Sequence, residues 1–405
     1  MSISSAGALW RGFLEVARGA GDYFKPYTYD VPLVMRQETH EGLRRAHAIF
    51  LKCLRHFVEQ YARYRDQMPV PAKVLEILAL YDSRPFHPGS YRTDFLVDGQ
   101  SRIRLIETNG RFALSGYFIS GFAHRLADRY MASVPGIQKV DAYTPFFNRL
   151  LEYFGAFDHV CVLQGAEKRT EARYIVPIFE AAGFPAQCIP AEALPQEVQV
   201  LEGAAVMSML SQEELCALPL QTISALVRSK LLNDLRTVFL AGDKRFFALL
   251  HHGDLLPQAL SADEISELQP YLVPTFTRQM NPEIWPQARE EKDRWVAKPF
   301  AQGLSIGVVA GPVTEEAAWR FLFDSGQADD MVLQEFVPQR KFKGRIGEHL
   351  YEDYATGTLL FFEEDYFGPG IFRASSFMVT NRRDDRKIAP LVTSNVLSFD
   401  QDNII

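Results

Sequence analysis

Apolar residues recur at helical spacing over 41–66 (EGLRRAHAIFLKCLRHFVEQYARYRD) and again over 71–81, which predicts helices in the N-terminal part of the chain. Two short strands follow, at about 91–98 and 102–108, with Asp98-Gly99 as the turn signal between them. Beyond Gly110 and Gly116 the helical pattern returns over 117–131. The texture changes near 158. There a buried-type strand (HVCVLQ), a helix over 167–183 ending in glycine, and a strand-like AQCIP set a β–α–β rhythm that continues through 199–231. This predicts a small parallel, Rossmann-like α/β unit, without the glycine fingerprint of a dinucleotide site after its first strand. From 242 a helix opens, 294–311 reads as strand, glycine loop and strand, 331–337 as a strand, and 355–380 as an antiparallel hairpin with a glycine-rich middle. No internal repeat and no low-complexity segment interrupts this order.

With 405 residues the chain is long enough for two or three domains, and its 47% apolar and 23% charged residues are ordinary for a globular protein. A net charge of -7 gives no general attraction to nucleic acid or anionic membrane, although a local basic pocket survives an acidic total. Cys53, Cys161, Cys188 and Cys216 are scattered without a C-x-x-C, as fits thiols of a reducing compartment. Arg11, Glu15 and Arg18 break the apolar start, and no run approaches the roughly eighteen apolar residues of a membrane span, so the expected location is cytoplasmic.

The candidate chemistry begins at Y91-R-T-D-F-L-V, which pairs by pattern with I103-R-L-I-E-T-N-G-R. Glu107 and Asn109 are two apart in a strand and share a face, with Asp94 across the turn. Two carboxylates and a carboxamide supply the hard oxygen donors that magnesium takes alongside phosphate and water; a solvated hairpin face carries the same residues. In W295-V-A-K-P-F-A-Q-G-L-S-I-G, Lys298 ends a strand and Gly303, Ser305 and Gly307 follow, which can set an ammonium and backbone N–H groups on a phosphate chain; a plain turn is the other reading. In G242-D-K, Asp243 reads as a helix N-cap, and Lys244 opposes the helix dipole unless an anion lies nearby. Arg373 follows a Gly-Pro-Gly turn, as an anion-binding residue or an exposed strand residue. N381-R-R-D-D-R-K reads as a solvated charged loop, and the basic 338–349 segment joins the 303–307 loop as a candidate lid.

Arg92-x-Asp94, then Glu107-x-Asn109 thirteen residues later, resembles the metal-binding signature of the ATP-grasp ligases, and E107-T-N-G-R111 is similar to its E-x-N-x-R form. Lys244 and Lys298 resemble that superfamily's two ATP-binding lysines, the 303–307 loop its phosphate-covering loop, and Q334-E-F-V337 its hinge for adenine and ribose through Glu335 and Val337. In most of the superfamily the lysines come first; here the acidic hairpin does, as in the circularly permuted group that includes glutathionylspermidine synthetase. The motif continues Asn-Gly-Arg-Phe-Ala rather than Asn-Ala-Asp-Thr-Pro, which speaks against glutathionylspermidine chemistry itself. The resemblance implies a permuted ATP-grasp fold of class α/β (α+β), in five parts: a helical 1–90, a metal-binding hairpin with helices at 91–150, a Rossmann-like 151–235, a lysine-bearing lobe at 236–330, and the hinge and remaining strands at 331–405. It also implies ATP and two Mg2+ ions as cofactors, with Asp94, Glu107 and Asn109 on the metal. Arg111, Arg92 and Arg373 would lie beside the reacting groups. The implied activity is amide-bond formation from a small carboxylate and an amine through an acyl phosphate, the acid being an amino acid, a peptide or a carrier-bound acid. A kinase acting on a hydroxyl and a non-catalytic nucleotide-binding protein are the alternatives, and a homodimer is left open.

Overall fold

The structure, a computed structural model, describes residues 3–131, 143–167, 172–303, 305–380, 384–394, 396 and 401–405. Its centre is a seven-stranded sheet built around the strand His349–Phe362. In spatial order it runs Arg386–Ile388, Phe372–Ser375, His349–Phe362, Ser90–Val97, Ile103–Asn109, and Lys341–Ile346 and Asp365–Pro369 also pair with the central strand. The predicted hairpin is therefore real, and its sheet partner comes more than 250 residues later in the chain, Asp94 opposite Thr358 and Arg92 opposite Leu360. Alternation sorts the two faces. Tyr91, Phe95, Val97, Ile103 and Leu105 join a core with Phe50, Leu54 and Phe57 of the helix Gln37–Glu59, while Arg92, Asp94 and Leu96 point into a cleft.

The cleft's other wall is a four-stranded antiparallel sheet in the order Val309–Ala310, Trp295–Pro299, Met331–Glu335, Thr275–Thr277. It has its own core of Trp285, Trp295, Trp319 and Leu333. The β–α–β rhythm forms a four-stranded parallel sheet in the order Ala186–Pro190, His159–Gln164, Ala204–Met209, Lys230–Leu232. Leu33–Arg36 pairs in parallel with Pro390–Thr393, which ties the N-terminal region to the last strands. No helix among the described residues is long and apolar enough to cross a membrane.

Several local expectations change. The hairpin turn does not take its positive φ at Gly99; Ser101 carries it, at 63°, and Asp98 accepts from the backbone N–H groups of Gln100 and Arg102. The helix predicted over 41–66 stops at Glu59 and resumes briefly as Tyr61–Tyr64. Asp243 serves the helix start from one residue further out than expected: Lys244 is the residue before Arg245–His252, and Asp243 Oδ1 accepts from the Arg245 N–H at 2.9 Å while Oδ2 accepts from Arg245 Nη2 at 2.6 Å. The 338–349 segment is one arm of a hairpin on His349–Phe362, tied to the N-terminal region by Asp30 N–H donating to Arg345 O, so it is not a free lid. Nor is 381–387 wholly a solvated loop. Residues 381–383 lie outside the described residues, but Lys387 is buried within the strand Arg386–Ile388.

Candidate active site

A β-bulge decides which way the acidic hairpin faces. Asp94 pairs with Glu107, yet its neighbour Phe95 pairs with Leu105, leaving Ile106 as the extra residue. Leu105 is thereby kept in the core while Glu107 and Asn109, which strict alternation would send the same way, turn into the cleft. The Ile106 carbonyl is not left idle. It accepts from Gln334 Nε2 of the opposite sheet at 3.1 Å.

The cleft between the two sheets has a volume of about 660 Å³ and gathers twelve of the thirteen residues singled out in the sequence. Arg92, Asp94, Glu107, Asn109, Arg111 and Arg373 line the side of the seven-stranded sheet; Lys244, Lys298, Gly303, Ser305, Glu335 and Val337 line the other. Gly307, the thirteenth, ends the glycine loop behind Ile306 with φ of 71°, a conformation that suits glycine. Ser305 shares that left-handed backbone at 56°.

The charges interlock across the cleft. Lys244 Nζ donates to the Gln302 carbonyl at 2.7 Å and stands 3.6 Å from Glu107 Oε2. Lys298, opposite Val332 on the neighbouring strand, donates to Gln334 Oε1 at 2.7 Å. Burial alone would raise the Glu107 carboxyl, but Lys244, Lys298 and Arg373, helped by the Asn109 amide, lower it to about 2. Burial lowers Lys298 to about 8, with the charge of Lys244 adding to the effect and Glu107 and Asp94 opposing it. Asp94 is the enclosed member. Its side chain is 1% exposed, Arg92 Nε donates to Oδ1 at 3.2 Å, and Arg373 Nη2 and Asn109 Nδ2 donate to Oδ2 at 2.5 and 3.1 Å. Arg111 reaches away from this group to Glu167, at 2.9 Å, and its guanidinium lies over the Phe112 ring and beside Gly303.

The donor set suits a hard divalent cation. The Asn109 amide nitrogen lies between the carboxylates of Asp94 and Glu107, 3.1 and 3.3 Å away, so the positive end of a dipole already sits between them. Among the described residues no three His, Cys, Asp or Glu side chains converge, so a cation here would need Asn109 and phosphate or water oxygens as well. Glu107 and Asn109 open to the cleft; Asp94 lies behind them, under its arginines.

Sequence reasoning did not single out Gln334, Asn233 or Lys387. Gln334 lies within the Q-E-F-V motif, directly before Glu335. Asn233, 1% exposed, donates to the carbonyls of Ser90 and Gly110 at 2.7 and 2.9 Å and so holds both ends of the acidic hairpin; no local pattern announces it.

This is a mixed α/β fold of several sheets and helices. Among solved structures it is similar to a glutathione synthetase-like effector (GSS30) from Globodera pallida in its apo form, with a TM-score of 0.52, 13% sequence identity, and 94% of this chain and 97% of that one covered. At that identity the likeness is one of fold. A family model described as the AnkG N-terminal domain matches residues 40–240, a span that holds Asp94, Glu107 and Asn109 and ends before Lys244. No curated protein matches the chain.

Proposed function

We propose that the protein is an ATP-dependent carboxylate–amine ligase on a circularly permuted ATP-grasp fold. The observation that carries this reading is the approach of two buried lysines, Lys244 and Lys298 on one wall, to Glu107 on the other, with Asp94 and Asn109 beside it. Lysine ammoniums are compact charges suited to phosphate oxygens. Lys244 and Lys298 bind the phosphate chain of ATP, and the backbone amides of 303–307 close over it. Glu107 and Asn109, with Asp94 behind them, would hold magnesium, which would supply neutralisation of phosphate charge. Glu335 and Val337 flank the base.

In this reading the cleft sets a substrate carboxylate in line with the terminal phosphate, and a carboxylate oxygen takes the phosphoryl group as ADP leaves. An amine then displaces phosphate to form the amide. Arg92 faces that point and stabilises the charge that develops on oxygen, while Arg111, with Glu167, orders the rim against the glycine loop. No side-chain nucleophile is required; positioning and exclusion of water supply the rate.

The deciding assay follows ADP and inorganic phosphate together over combinations of carboxylic acids and amines. A ligase releases both in equal amounts only when acid and amine are both present. ADP without free phosphate would make the protein a kinase, and nucleotide binding without turnover across the panel would make it a binding protein.

A further inference from the structure

Arg373 and Lys387 are register partners on adjacent antiparallel strands, so their side chains stand together on the sheet face that floors the cleft. Like charges placed directly opposite one another destabilise a sheet. Arg92 belongs to the same face. Lys387 is 6% exposed; burial lowers its basicity, and Arg373 and Arg92 add to that against the pull of Asp385.

The carboxylates near these three cations are each engaged elsewhere or open to water: Glu107, which acts on Arg373, also faces Lys244 and Lys298. Asp94 is enclosed and already shared by Arg92 and Arg373. Asp385, the ion-pair partner of Lys387, has a side chain 75% exposed to water, where its hold is weak. Asp384 also lines the cleft, but Ser376 and Arg386 hold its carboxylate at 2.7 and 2.8 Å. Arg373 Nε is buried without a hydrogen-bond partner among the described residues. On the strand between, Thr356 and Thr358 add hydroxyls to the same floor.

This basic end is set apart from the lysines that face Glu107. The strand of Lys387 lies three places from that of Asp94, and at about 4.8 Å per strand the two backbones are roughly 14 Å apart. Arg373 spans the gap, with Nη2 on Asp94, and an anion held by Lys387 is set off from a group at Glu107 and Asp94 by the two strands between them.

We infer that Lys387 and Arg373 hold a carboxylate that does not react, so that at least one of the two organic substrates is a dicarboxylate or an amino acid. The inference rests on the ligase reading, which supplies the two organic substrates. It makes Lys387 a specificity residue.

The test is calorimetric binding without nucleotide. The probes are glutarate against butyrate for the acid side and glycine against ethylamine for the amine side, with wild type, Lys387→Met and Lys387→Arg. Wild type should prefer glutarate or glycine over its singly functional counterpart by about tenfold or more, as a charge-assisted contact gives. Lys387→Met should erase the preference and Lys387→Arg keep it, and the pair that responds tells whether the acid or the amine carries the group. Because Lys387→Met removes a repulsion, its melting temperature should not fall. No preference in wild type, a preference that survives Lys387→Met, or a lowered melting temperature with binding unchanged would each overturn the inference. A Lys387-dependent preference in a protein that never releases ADP would instead keep the anion site and sink the ligase reading.

Discussion

Lys298 donates to Gln334 Oε1 at 2.7 Å, and the same Gln334 donates to Ile106 O at 3.1 Å, so one carboxamide ties the lysine to the bulge beside Glu107. Lys298 is held rigidly and drawn down to about 8, burial being the main cause. Below that pH the free protein presents an ammonium to phosphate, and above it a neutral amine. Affinity for a non-hydrolysable ATP analogue should therefore hold steady up to about pH 8 and then fall, by at most about tenfold per pH unit. Titration calorimetry between pH 7 and 9.5 checks this. Lys298→Met should bind weakly with little pH dependence and Lys298→Arg should bind without the fall; a wild-type affinity flat to pH 9.5 would remove the lysine from the nucleotide site.

Glu107 stays ionised at any working pH because the lysines around it lower its carboxyl to about 2. Replacing Glu107 and Asn109 together by alanine removes both cleft-facing oxygen donors and takes from Lys244 and Lys298 the carboxylate that both face, leaving only Asp94 near Lys298. Magnesium-dependent turnover should drop by about 100-fold or more, the scale of losing charge stabilisation at a reacting centre. Turnover at the wild-type level in the double variant would refute the metal assignment.

The acidic hairpin was legible because a turn signal, alternation and three oxygen-bearing side chains all fall within twenty residues. The outcome at Glu107 was only half legible. Two residues apart on a strand does mean one face, but which face depended on the bulge at Ile106, and no residue in I103-R-L-I-E marks it. The glycine loop and both lysines were readable from local composition, whereas their meeting with Glu107 depends on how two separate sheets pack across the cleft. Lys387 was misread for the same reason. In sequence it sits in a run of charges, and only the register opposite Arg373 and the cover of the N-terminal segment, with Tyr29 N–H donating to Lys387 O at 2.8 Å, make it buried.

Two histidines make the fold sensitive to acid. His40 and His47 are 5% and 4% exposed, and among the described residues neither nitrogen of His40 and not the Nδ1 of His47 has a partner. Burial lowers His40 to about 4, with Arg44 adding to it, and lowers His47 to about 3. Both are neutral in the folded protein while the unfolded chain protonates them near pH 6.5. The unfolded state then binds more protons, so stability is full above that pH and falls as the pH drops below it, toward the folded values. Urea unfolding should show a loss of about 3 kcal/mol between pH 6.5 and 5 from the pair, at up to ~1.4 kcal/mol per unit for each. A His40→Leu, His47→Leu variant should have a shallower pH slope; parallel slopes would show that other groups drive the loss.

Asn233 offers a way to separate folding from catalysis. Its side chain accepts from Ser90 N–H at 2.7 Å and donates to Ser90 O and Gly110 O, the residues at the base of one hairpin strand and just past the end of the other. Gly110 also sits between Asn109 and Arg111, and a side chain there would crowd Thr237 Cγ2, at 2.5 Å from an added Cβ. Asn233→Ala strands three backbone groups in a site that water does not reach, at about 1–3 kcal/mol each. A loss of stability of about 3 kcal/mol or more is expected, measured by urea unfolding. At a temperature where the variant remains folded, Lys244 and Lys298 are untouched, so ATP affinity should hold. The hairpin that carries Glu107 and Asn109 is no longer pinned, so kcat should fall by about tenfold or more, because small misplacements of reacting groups are costly. Asn233→Asp keeps the acceptor but turns an oxygen toward two carbonyls, and should be at least as damaging as alanine. If ATP affinity and kcat declined together, Asn233 would be holding the whole cleft rather than its acidic wall.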